Sequence, residues 1–425
     1  METMSESPSE VSPLCKDVPK FLSSFVDTFV DFSVSGGLFL PQDPPLPNPS
    51  SISQNLQPLR TRYPTPPDRL VAIGDLHGDL EKCKEAFRLA NLIDCSDKWI
   101  GGSSTVVQLG DVLDRGGDEL KILYFLEKLK LQAARSGGTL ITMNGNHEIM
   151  NVEGDFRIVT KAGLEEFRTW ADWYRFGQAM KGLCKGLEKP EDPFDGIPSL
   201  CGLNDEGLVQ GLRARMAALR PQGPISSRFL SQNVVVLVLG DSVFVHGGLL
   251  PEHVSYGLEK INEEVRDWIN GLGGKFAPEY CMSRTHGVTR LRSFSHELAK
   301  NCDCSALEIV LATIPGAKRM IMGHTVQEVG INGVCNNQAI RIDVGMSKGC
   351  INGLPEVLEI AGNSELRILT SNSLYHNNYK ASLHRERKEG LGLLIPEHEP
   401  KQGKSREKLL LSLAQSTWPD HSWPR

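Results

Sequence analysis

Asp75 and His77 follow a short apolar run, and the glycines around them permit a sharp turn where that run ends. An Asp and a His separated by one residue can point to the same position, and their oxygen and nitrogen donors suit a divalent transition metal. An ordinary turn whose Asp caps the helix beginning near Leu80 would explain a single match equally well. One occurrence therefore leaves both interpretations open.

The same pattern, an apolar run followed by Gly with Asp, Asn or His, occurs four more times. Side chains at the carboxyl ends of neighbouring strands gather where an α/β sheet builds its sites, so the recurrence predicts one shared cluster. The later runs and the polar residues after them are 106–109 before Asp111, 140–143 before Asn146, 243–245 before His246 and 320–322 before His324.

Together these side chains provide two carboxylates, one amide oxygen and three imidazoles, enough for two metal ions if one carboxylate bridges them. Asp111 is the natural bridge. Two cations about 3.5–4 Å apart would hold a hydroxide and make it a nucleophile near neutral pH. This chemistry suits phosphate esters, whose uncatalysed hydrolysis is too slow for a lone general base. The predicted metal ligands are Asp75, His77, Asp111, Asn146, His246 and His324.

Three residues beside these motifs could handle the phosphate and the leaving group. The planar guanidinium of Arg115 matches two phosphate oxygens. His147 could donate a proton to the departing alkoxide, and Asp114 could orient His147 and keep it charged. These residues complete the requirements of a phosphoester hydrolase.

A second cationic contact to phosphate is expected from the stretch 285–295, where Arg290 and Arg292 compete. We favour Arg292, although a solvated surface position would also explain it. Three other histidines lack the pattern of an apolar run followed by glycine, and we expect them at the surface. They are His253, His286 and His296.

Alternating strands and helices must position these motifs. Between residues 70 and 148, apolar residues at helical spacing predict helices over 80–92 and 118–135, with Asp118 as an amino-terminal cap. Residues 151–230 lose the strand pattern and indicate an inserted helical cap. A hairpin over 234–245 follows, and then helix and loop over 252–318. The last predicted strands are 319–322, 340–344, 357–360 and 366–369.

The ends of the chain differ from its middle. Residues 1–66 are predicted to form an N-terminal extension with one amphipathic helix over 21–32 and a proline-rich linker. The apolar face of this helix suits the catalytic domain or a partner better than a membrane, because its polar face has few Lys or Arg residues. The catalytic domain is assigned to 67–380, and the charged tail 381–425 is expected to be disordered.

Composition excludes several classes of protein. The 425 residues are 40% hydrophobic and 23% charged with a net charge of −6, so nucleic acid is not an expected partner. No apolar run approaches the roughly 20 residues of a spanning helix. The ten cysteines are scattered and are expected to be reduced thiols in the cytoplasm, with the mitochondrial intermembrane space as the alternative location.

Five motifs in fixed order give the chain a family resemblance. The sequence resembles the calcineurin-like metallophosphoesterases and, within them, the phosphoprotein phosphatase branch. The GHT ending, the segment HGVTRLRS and the insertion after GNHE are similar to the second, non-chloroplast type of plant Shewanella-like protein phosphatases. The motifs are GDLHGD at 74–79, GDVLDRG at 110–116, GNHE at 145–148, HGG at 246–248 and GHT at 323–325.

The resemblance covers about 70–380 and implies an α/β fold, a four-layer αββα sandwich with the bimetal site at the strand ends. It implies that Asp111 bridges two divalent metals, with Asp75 and His77 on the first and Asn146, His246 and His324 on the second. Manganese is the metal expected, with iron or zinc as alternatives. It also implies His147 with Asp114 as general acid, and Arg115 with Arg292 on the phosphate.

The sequence therefore predicts a protein serine/threonine phosphatase that hydrolyses phosphomonoesters by direct attack of a metal-held hydroxide. A dinucleoside tetraphosphatase is the alternative within the same chemistry, and a non-catalytic binding module stabilised by metals is the alternative outside it. Toxin-sensitive relatives carry a SAPNYC-type loop near the carboxyl terminus. This sequence lacks one, which predicts insensitivity to okadaic acid and microcystin.

Overall fold

The computed structural model describes residues 59–182, 192–198, 205–283, 285–296, 298–362 and 364–372. The predicted helix over 21–32 and the tail 381–425 lie outside these residues. Within them, the chain forms two β-sheets and the helices that pack against them, as the fold prediction requires. None of the helices in this part of the chain combines the length and the apolar character needed to cross a membrane.

The strands are β1 (Arg62–Tyr63), β2 (Arg69–Ile73), β3 (Thr105–Gln108), β4 (Thr139–Thr142), β5 (Val236–Leu239), β6 (Ser242–Val245), β7 (Arg319–Met322), β8 (Asn332–Val334), β9 (Ala339–Arg341), β10 (Glu356–Ala361) and β11 (Leu366–Thr370). The helices are α1 (Leu80–Leu89), α2 (Glu119–Arg135), α3 (Asn146–Glu153), α4 (Lys161–Gly182), α5 (Glu206–Leu219), α6 (Pro224–Arg228), α7 (Pro251–Tyr256), α8 (Leu258–Ile269), α9 (Glu279–Met282) and α10 (Cys304–Thr313).

The first sheet has the order β11-β10-β2-β3-β4, and β2, β3 and β4 with the two helices between them form a β-α-β-α-β unit. β2, β3 and β4 are parallel, and Ile73, Gln108 and Thr142 lie side by side across them. Because these strands end level, the loops that follow them meet at one edge of the sheet.

The second sheet has the order β1-β5-β6-β7-β9-β8. Its parallel neighbours β6 and β7 both end at glycine and histidine motifs. Every residue of β5, β6 and β7 is buried, which is typical of strands covered on both faces. Strands of both sheets contribute to one continuous hydrophobic core, so their carboxyl ends are held in a fixed relation.

The cap consists of α4, α5 and α6, and α4 and α5 pack on each other. The cap is also tied to the helix after the second metal motif. Asp118 occupies the N-cap position of α2 as predicted, but its carboxylate pairs with Lys121 Nζ (2.6 Å) instead of capping a main-chain amide. Glu166 of α4 accepts from the main-chain nitrogens of Leu120 and Lys121 instead, both at 3.0 Å. A residue of the insertion therefore accepts hydrogen bonds from main-chain amides at the start of α2, which have no partner within the helix.

The sequence pattern missed two short strands. β1 lies in the predicted proline-rich linker, yet Val238 N donates to Thr61 O (2.8 Å), so the sheet begins before residue 66. β8 contains Asn332 and Gly333, residue types that weaken strand propensity. In both places the pairing partner, not the local sequence, makes the strand.

The expectation of reduced thiols is wrong for one pair of cysteines. Cys304 and Cys335 form a disulfide, with Cα atoms 5.3 Å apart. Cys304 begins α10 and Cys335 lies in the turn between β8 and β9, at a sequence separation of 31. Only the fold brings them together, so their spacing along the chain carries no signal. Cys302, two residues from Cys304, is free.

Candidate active site

The structure brings all six predicted metal ligands to one place. The turns after β2, β3 and β4 supply Asp75, His77, Asp111 and Asn146 from the first sheet, and the turns after β6 and β7 supply His246 and His324 from the second. All except His324 are buried, and His324 is partly exposed. Residues up to 249 positions apart in sequence thus share one cluster.

Asp111 is the centre of this cluster. Its Oδ2 lies 3.1 Å from His246 Nε2 and 3.7 Å from His77 Nε2, while its Oδ1 accepts from the main-chain nitrogen of His147 at 3.0 Å. Two groups of potential metal donors share it, each with ligand atoms within 4.8 Å of one another. They are His77, Asp111 and His147, and Asp111, His246 and His324. A carboxylate common to both groups has the position that a bridging ligand needs.

Hydrogen bonds to the backbone fix two of the imidazoles. His77 Nδ1 lies 3.0 Å from Leu113 O, and His246 Nδ1 lies 2.8 Å from Leu109 O. Each ring therefore turns its Nε2 towards the cluster, where His246 Nε2 is 3.2 Å from Asn146 Oδ1. Such outer contacts orient histidine ligands in metalloproteins.

The turns that carry the site adopt backbone conformations that L-residues rarely take. Asp111, Asp114 and Arg115 have φ angles of 52°, 68° and 65°, and His77 and His324 have 43° and 67°. Non-glycine residues in the left-handed region carry strain that the surrounding structure must support, and they concentrate at functional sites. Glu148 gives that support by accepting from three consecutive main-chain nitrogens over 111–113.

Electrostatics in the cluster favour a bound cation. Burial raises the pKa of Asp75 well above its usual range, and the nearby carboxylates of Asp343 and Asp111 raise it further. Burial also opposes ionisation of Asp111, but the imidazoles of His246 and His147 outweigh it and hold that pKa well below its usual range. Crowded buried carboxylates are costly unless a cation compensates them.

Two of the three predicted imidazole ligands have lowered pKa values, which favour the neutral form that binds a metal. Burial lowers the pKa of His77 to about 4, and burial together with His246 lowers the pKa of His324 well below its usual range. The pKa of His246 is raised because Asp111 outweighs burial, so a metal bound there would displace a proton. The donor set of carboxylates, amide oxygen and mostly neutral imidazoles fits divalent metal ions.

His147 differs from the predicted ligands. Its Nδ1 lies 2.6 Å from Asp114 Oδ2, and its Nε2 faces the cluster, 3.8 Å from Asp111 Oδ2. Burial lowers its pKa, but Asp111 and Asp114 outweigh this effect and raise it to about 9. The Nδ1 atoms of His77 and His246 face backbone carbonyls, whereas that of His147 faces a carboxylate, which stabilises the charged ring. This partner suits His147 for proton donation.

Arg115 lines a cleft of about 770 Å³ that opens over the cluster. Its main-chain nitrogen donates to Ile158 O (3.3 Å), which ties the turn to the loop before the cap helices. Its Nε is buried and has no hydrogen-bond partner among the described residues. A buried donor of this kind beside a metal cluster matches one oxygen of a tetrahedral anion.

Arg290 and Arg292 both line the cleft. Arg292 donates from Nη1 to Thr325 Oγ1 (2.7 Å) and to His324 O (3.3 Å), so it is fastened to the turn that carries a metal ligand. Arg290 Nε lies 3.2 Å from Met282 Sδ. The contacts place Arg292 nearer the cluster, and its role at the phosphate stays a prediction.

Two buried charged residues that contact predicted site residues were missed from the sequence, and one histidine was misplaced. Asp343, buried after β9, is hydrogen-bonded to Asp75. The segment 340–345 matches the other motifs only weakly, because Arg341 interrupts its apolar residues and Val344 separates Asp343 from Gly345. Arg215, a buried cap residue on α5, has no such signal. His253 is buried, not at the surface, and its Nδ1 accepts from Leu250 N (2.9 Å).

Comparisons with known proteins agree with this geometry. A family model described as calcineurin-like phosphoesterase matches residues 68–328. Shewanella-like protein phosphatase 2 of Arabidopsis thaliana is 64% identical over 392 residues, which cover 92% of this chain and 97% of that protein. Shewanella-like protein phosphatase 1 of Plasmodium berghei is 28% identical over 66% of this chain and 67% of that protein.

One solved structure shows the same fold at lower sequence similarity. A cold-active protein-tyrosine phosphatase of a psychrophile Shewanella species superposes with a TM-score of 0.50 and 20% identity, over 77% of this chain and 87% of that chain. The family match, the Arabidopsis relative and the clustered ligands lead to one assignment. This chain belongs to the calcineurin-like phosphoesterase family and, within it, to the Shewanella-like protein phosphatases.

Proposed function

We propose that the chain removes phosphate from phosphoserine and phosphothreonine in proteins. One observation carries the proposal: His147, which is paired with Asp114, lies beside the predicted metal ligands and lines the same cleft as Arg115 and Arg292. The leaving group of such a substrate is a poor one, an alkoxide, and it needs a proton. The similarity to proteins named protein phosphatases supports a protein as substrate.

Each residue then has a defined task. Divalent metals bound by the cluster would supply a water nucleophile at neutral pH and offset the charge of the phosphate. Arg115 and Arg292 bind and orient the phosphate oxygens. His147 transfers its Nε2 proton to the departing oxygen, while Asp114 holds the ring and stabilises its charge.

For the metal we propose manganese at both positions, with iron or zinc as alternatives. The support is the mixed oxygen and nitrogen donor set, which suits several divalent ions of the first transition row. Reconstitution of the metal-free chain with each ion, followed by metal analysis and activity measurement, would separate them. Highest activity with zinc or iron would overturn the manganese proposal.

The substrate proposal is tested by assaying one preparation on a phosphoserine peptide and on a dinucleoside tetraphosphate, with Asp111→Asn as the inactive control. We expect hydrolysis of the peptide with release of inorganic phosphate. Preference for the dinucleotide would favour the alternative hydrolase. No turnover on either substrate, in protein with both metals bound, would favour a binding module.

The cellular location predicted from the sequence, the cytoplasm, stays a proposal. The Cys304–Cys335 disulfide supports the alternative, the mitochondrial intermembrane space, because structural disulfides are rare in the cytosol. Cell fractionation combined with mass spectrometry of unreduced peptides would test it. Reduced Cys304 and Cys335 in cytosolic protein would reject the alternative.

A further inference from the structure

An arginine of the cap supports the proton-donating pair from behind. Arg215 lies on α5 and is fully buried. Its Nη2 donates to Asp114 Oδ1 at 2.9 Å. Asp114 therefore uses one carboxylate oxygen for the cap and the other, Oδ2, for His147. A single carboxylate links the insertion to the acid.

The rest of the guanidinium is also held. Nη1 and Nη2 donate to the two oxygens of Glu119 at 2.8 and 2.6 Å, and Glu119 Oε2 also accepts from the main-chain nitrogen of Asp114 at 2.8 Å. The guanidinium lies over the ring of Phe167, 4.6 Å from its centre. Such a bidentate contact fixes orientation as well as charge.

Asn151 closes the network. Arg215 Nε donates to Asn151 Oδ1 (2.7 Å), and Asn151 Nδ2 donates to Asp114 Oδ1 (3.0 Å) and to His147 O (2.9 Å). Asp114 Oδ1 thus accepts from two fixed donors, so its carboxylate plane has little freedom to rotate. The orientation of that plane determines whether Oδ2 lies within hydrogen-bond distance of His147 Nδ1, from which it is 2.6 Å away.

We infer that Arg215 is a positioning residue for proton donation and acts through Asp114. It keeps Oδ2 directed at His147 Nδ1, so that Nε2 points into the cleft towards the leaving oxygen. In the reaction, the Nε2–H bond breaks as the new O–H bond of the alcohol forms, and Asp114 stays ionised throughout. The inference rests on the proposed phosphatase function, since it concerns the acid of that reaction.

The experiment compares substrates that need the acid with a substrate that does not. The full chain and its Arg215→Gln variant are assayed on a phosphoserine peptide and on p-nitrophenyl phosphate, whose leaving group departs without a proton. We expect kcat on the peptide to fall about 10- to 100-fold, the usual loss when an orienting contact is removed. The fall on p-nitrophenyl phosphate should be much smaller.

Two further variants keep the test decisive. Arg215→Lys retains the charge without the bidentate contact, so it should show the same substrate dependence with a smaller loss, and it takes over the test if Arg215→Gln does not fold. In the double variant with Asp114→Asn, removal of Arg215 should add little to the loss caused by Asp114→Asn alone, because both act on one group.

A matched control is Arg228→Gln. Arg228 is also an arginine of the cap paired with a core helix, through Glu127 at 2.5 Å, and its guanidinium lies over the ring of Tyr124 on that same helix. We expect it to lower the melting temperature and to leave the ratio of the two activities unchanged. Metal content and melting temperature are measured for every variant.

Equal losses of Arg215→Gln on both substrates, at full metal content, would mean that the arginine is only structural and would overturn the inference. Unchanged activity on both would overturn it as well. A wild-type chain that hydrolyses an alkyl phosphate such as β-glycerophosphate but no phosphopeptide would reject the proposed function alone. The Arg215 comparison would then be made with that alkyl phosphate.

Discussion

Two buried charge clusters meet at His147, and they are balanced in opposite ways. Around Asp111, carboxylates and imidazoles face one another, and the pKa of Asp75 is raised by burial and by neighbouring carboxylates. Around Asp114, the carboxylates are matched by the guanidinium of Arg215. The first cluster lacks positive charge that a metal can provide, whereas the second provides its own. One centre therefore suits bound cations, and the other, in the proposed mechanism, holds the proton donor.

The variant with the largest expected effect removes Asp111, the carboxylate common to both groups of potential metal ligands. Asp111→Asn takes away the charge that faces three imidazoles, so we expect it to lose bound metal and to lower kcat by more than about 10,000-fold, beyond the range of a lost general acid, because the metals would supply the nucleophile. Metal analysis by mass spectrometry and a phosphopeptide assay measure the two effects.

The control for that variant is Asp97→Asn, which removes a carboxylate that pairs with Arg88 and Lys84 away from the cleft. It should keep its metal and its rate. Full metal content in Asp111→Asn would contradict the assignment of Asp111 as the bridging ligand.

The second test removes the proton donor and leaves the ligands. His147→Asn should keep its metal and lower kcat on an alkyl phosphomonoester about 100- to 10,000-fold, the range of general acid catalysis. On p-nitrophenyl phosphate the loss should be small. Loss of metal together with rate would assign His147 to the metal cluster, as the grouping of His147 with His77 and Asp111 allows.

The pH dependence of kcat is a further test of His147 as the proton donor. Burial lowers the pKa of His147, but Asp111 and Asp114 outweigh it and raise it to about 9. A general acid must carry its proton, so kcat on an alkyl phosphate should fall as the pH rises through this pKa. Bound metal cations disfavour the charged imidazole and lower its pKa, so the fall in kcat should lie at or below about pH 9. Asp114→Asn removes a stabilising carboxylate, and the fall should move to lower pH. An unchanged pH profile in Asp114→Asn would show that Asp114 does not stabilise the charged form of His147.

The two clusters also differ in how far the sequence predicted them. The metal ligands follow strands and glycines in a repeated pattern, so local chemistry and sheet topology were enough to gather Asp75, Asp111 and His246. Arg215 lies in a helix whose pattern reports only burial, and its partners Asp114 and Glu119 are 101 and 96 residues away. Nothing in the local sequence distinguishes such an arginine from one at the surface.

The same limit applies to the sheets. Long apolar runs such as that of β5 were predicted, because burial on both faces leaves a continuous pattern. β1 and the Cys304–Cys335 disulfide were missed, because each depends on a partner distant in sequence. β8 pairs with the neighbouring β9 and was missed because Asn332 and Gly333 weaken its strand pattern. Tertiary context decides these features, and a local pattern carries little of it.

The third test concerns the arginines over the metal cluster. Arg292→Ala should lower kcat/KM about 10- to 100-fold, the value of a hydrogen bond to a charged group, because its guanidinium is fastened to the turn of His324. Arg290→Ala is the matched variant, since Arg290 also lines the cleft but contacts Met282. Steady-state kinetics on a phosphopeptide compare them. A larger loss in Arg290→Ala would reverse the assignment.

The smallest expected effect is that of two phosphatase toxins on the rate of phosphopeptide hydrolysis. The segment that borders the cleft after β9 packs onto the ligand turns: Ser347 Oγ donates to His77 O (3.0 Å), and Lys348 N donates to Asp79 Oδ2 (3.0 Å). This sequence has no SAPNYC-type loop, so okadaic acid and microcystin should leave the phosphopeptide rate unchanged. A toxin-sensitive phosphatase in the same assay is the positive control, and inorganic phosphate should still compete, because it needs only the arginines and the metals. Inhibition by either toxin at the concentration that stops the positive control would show that the cleft itself, without that loop, is enough to bind them.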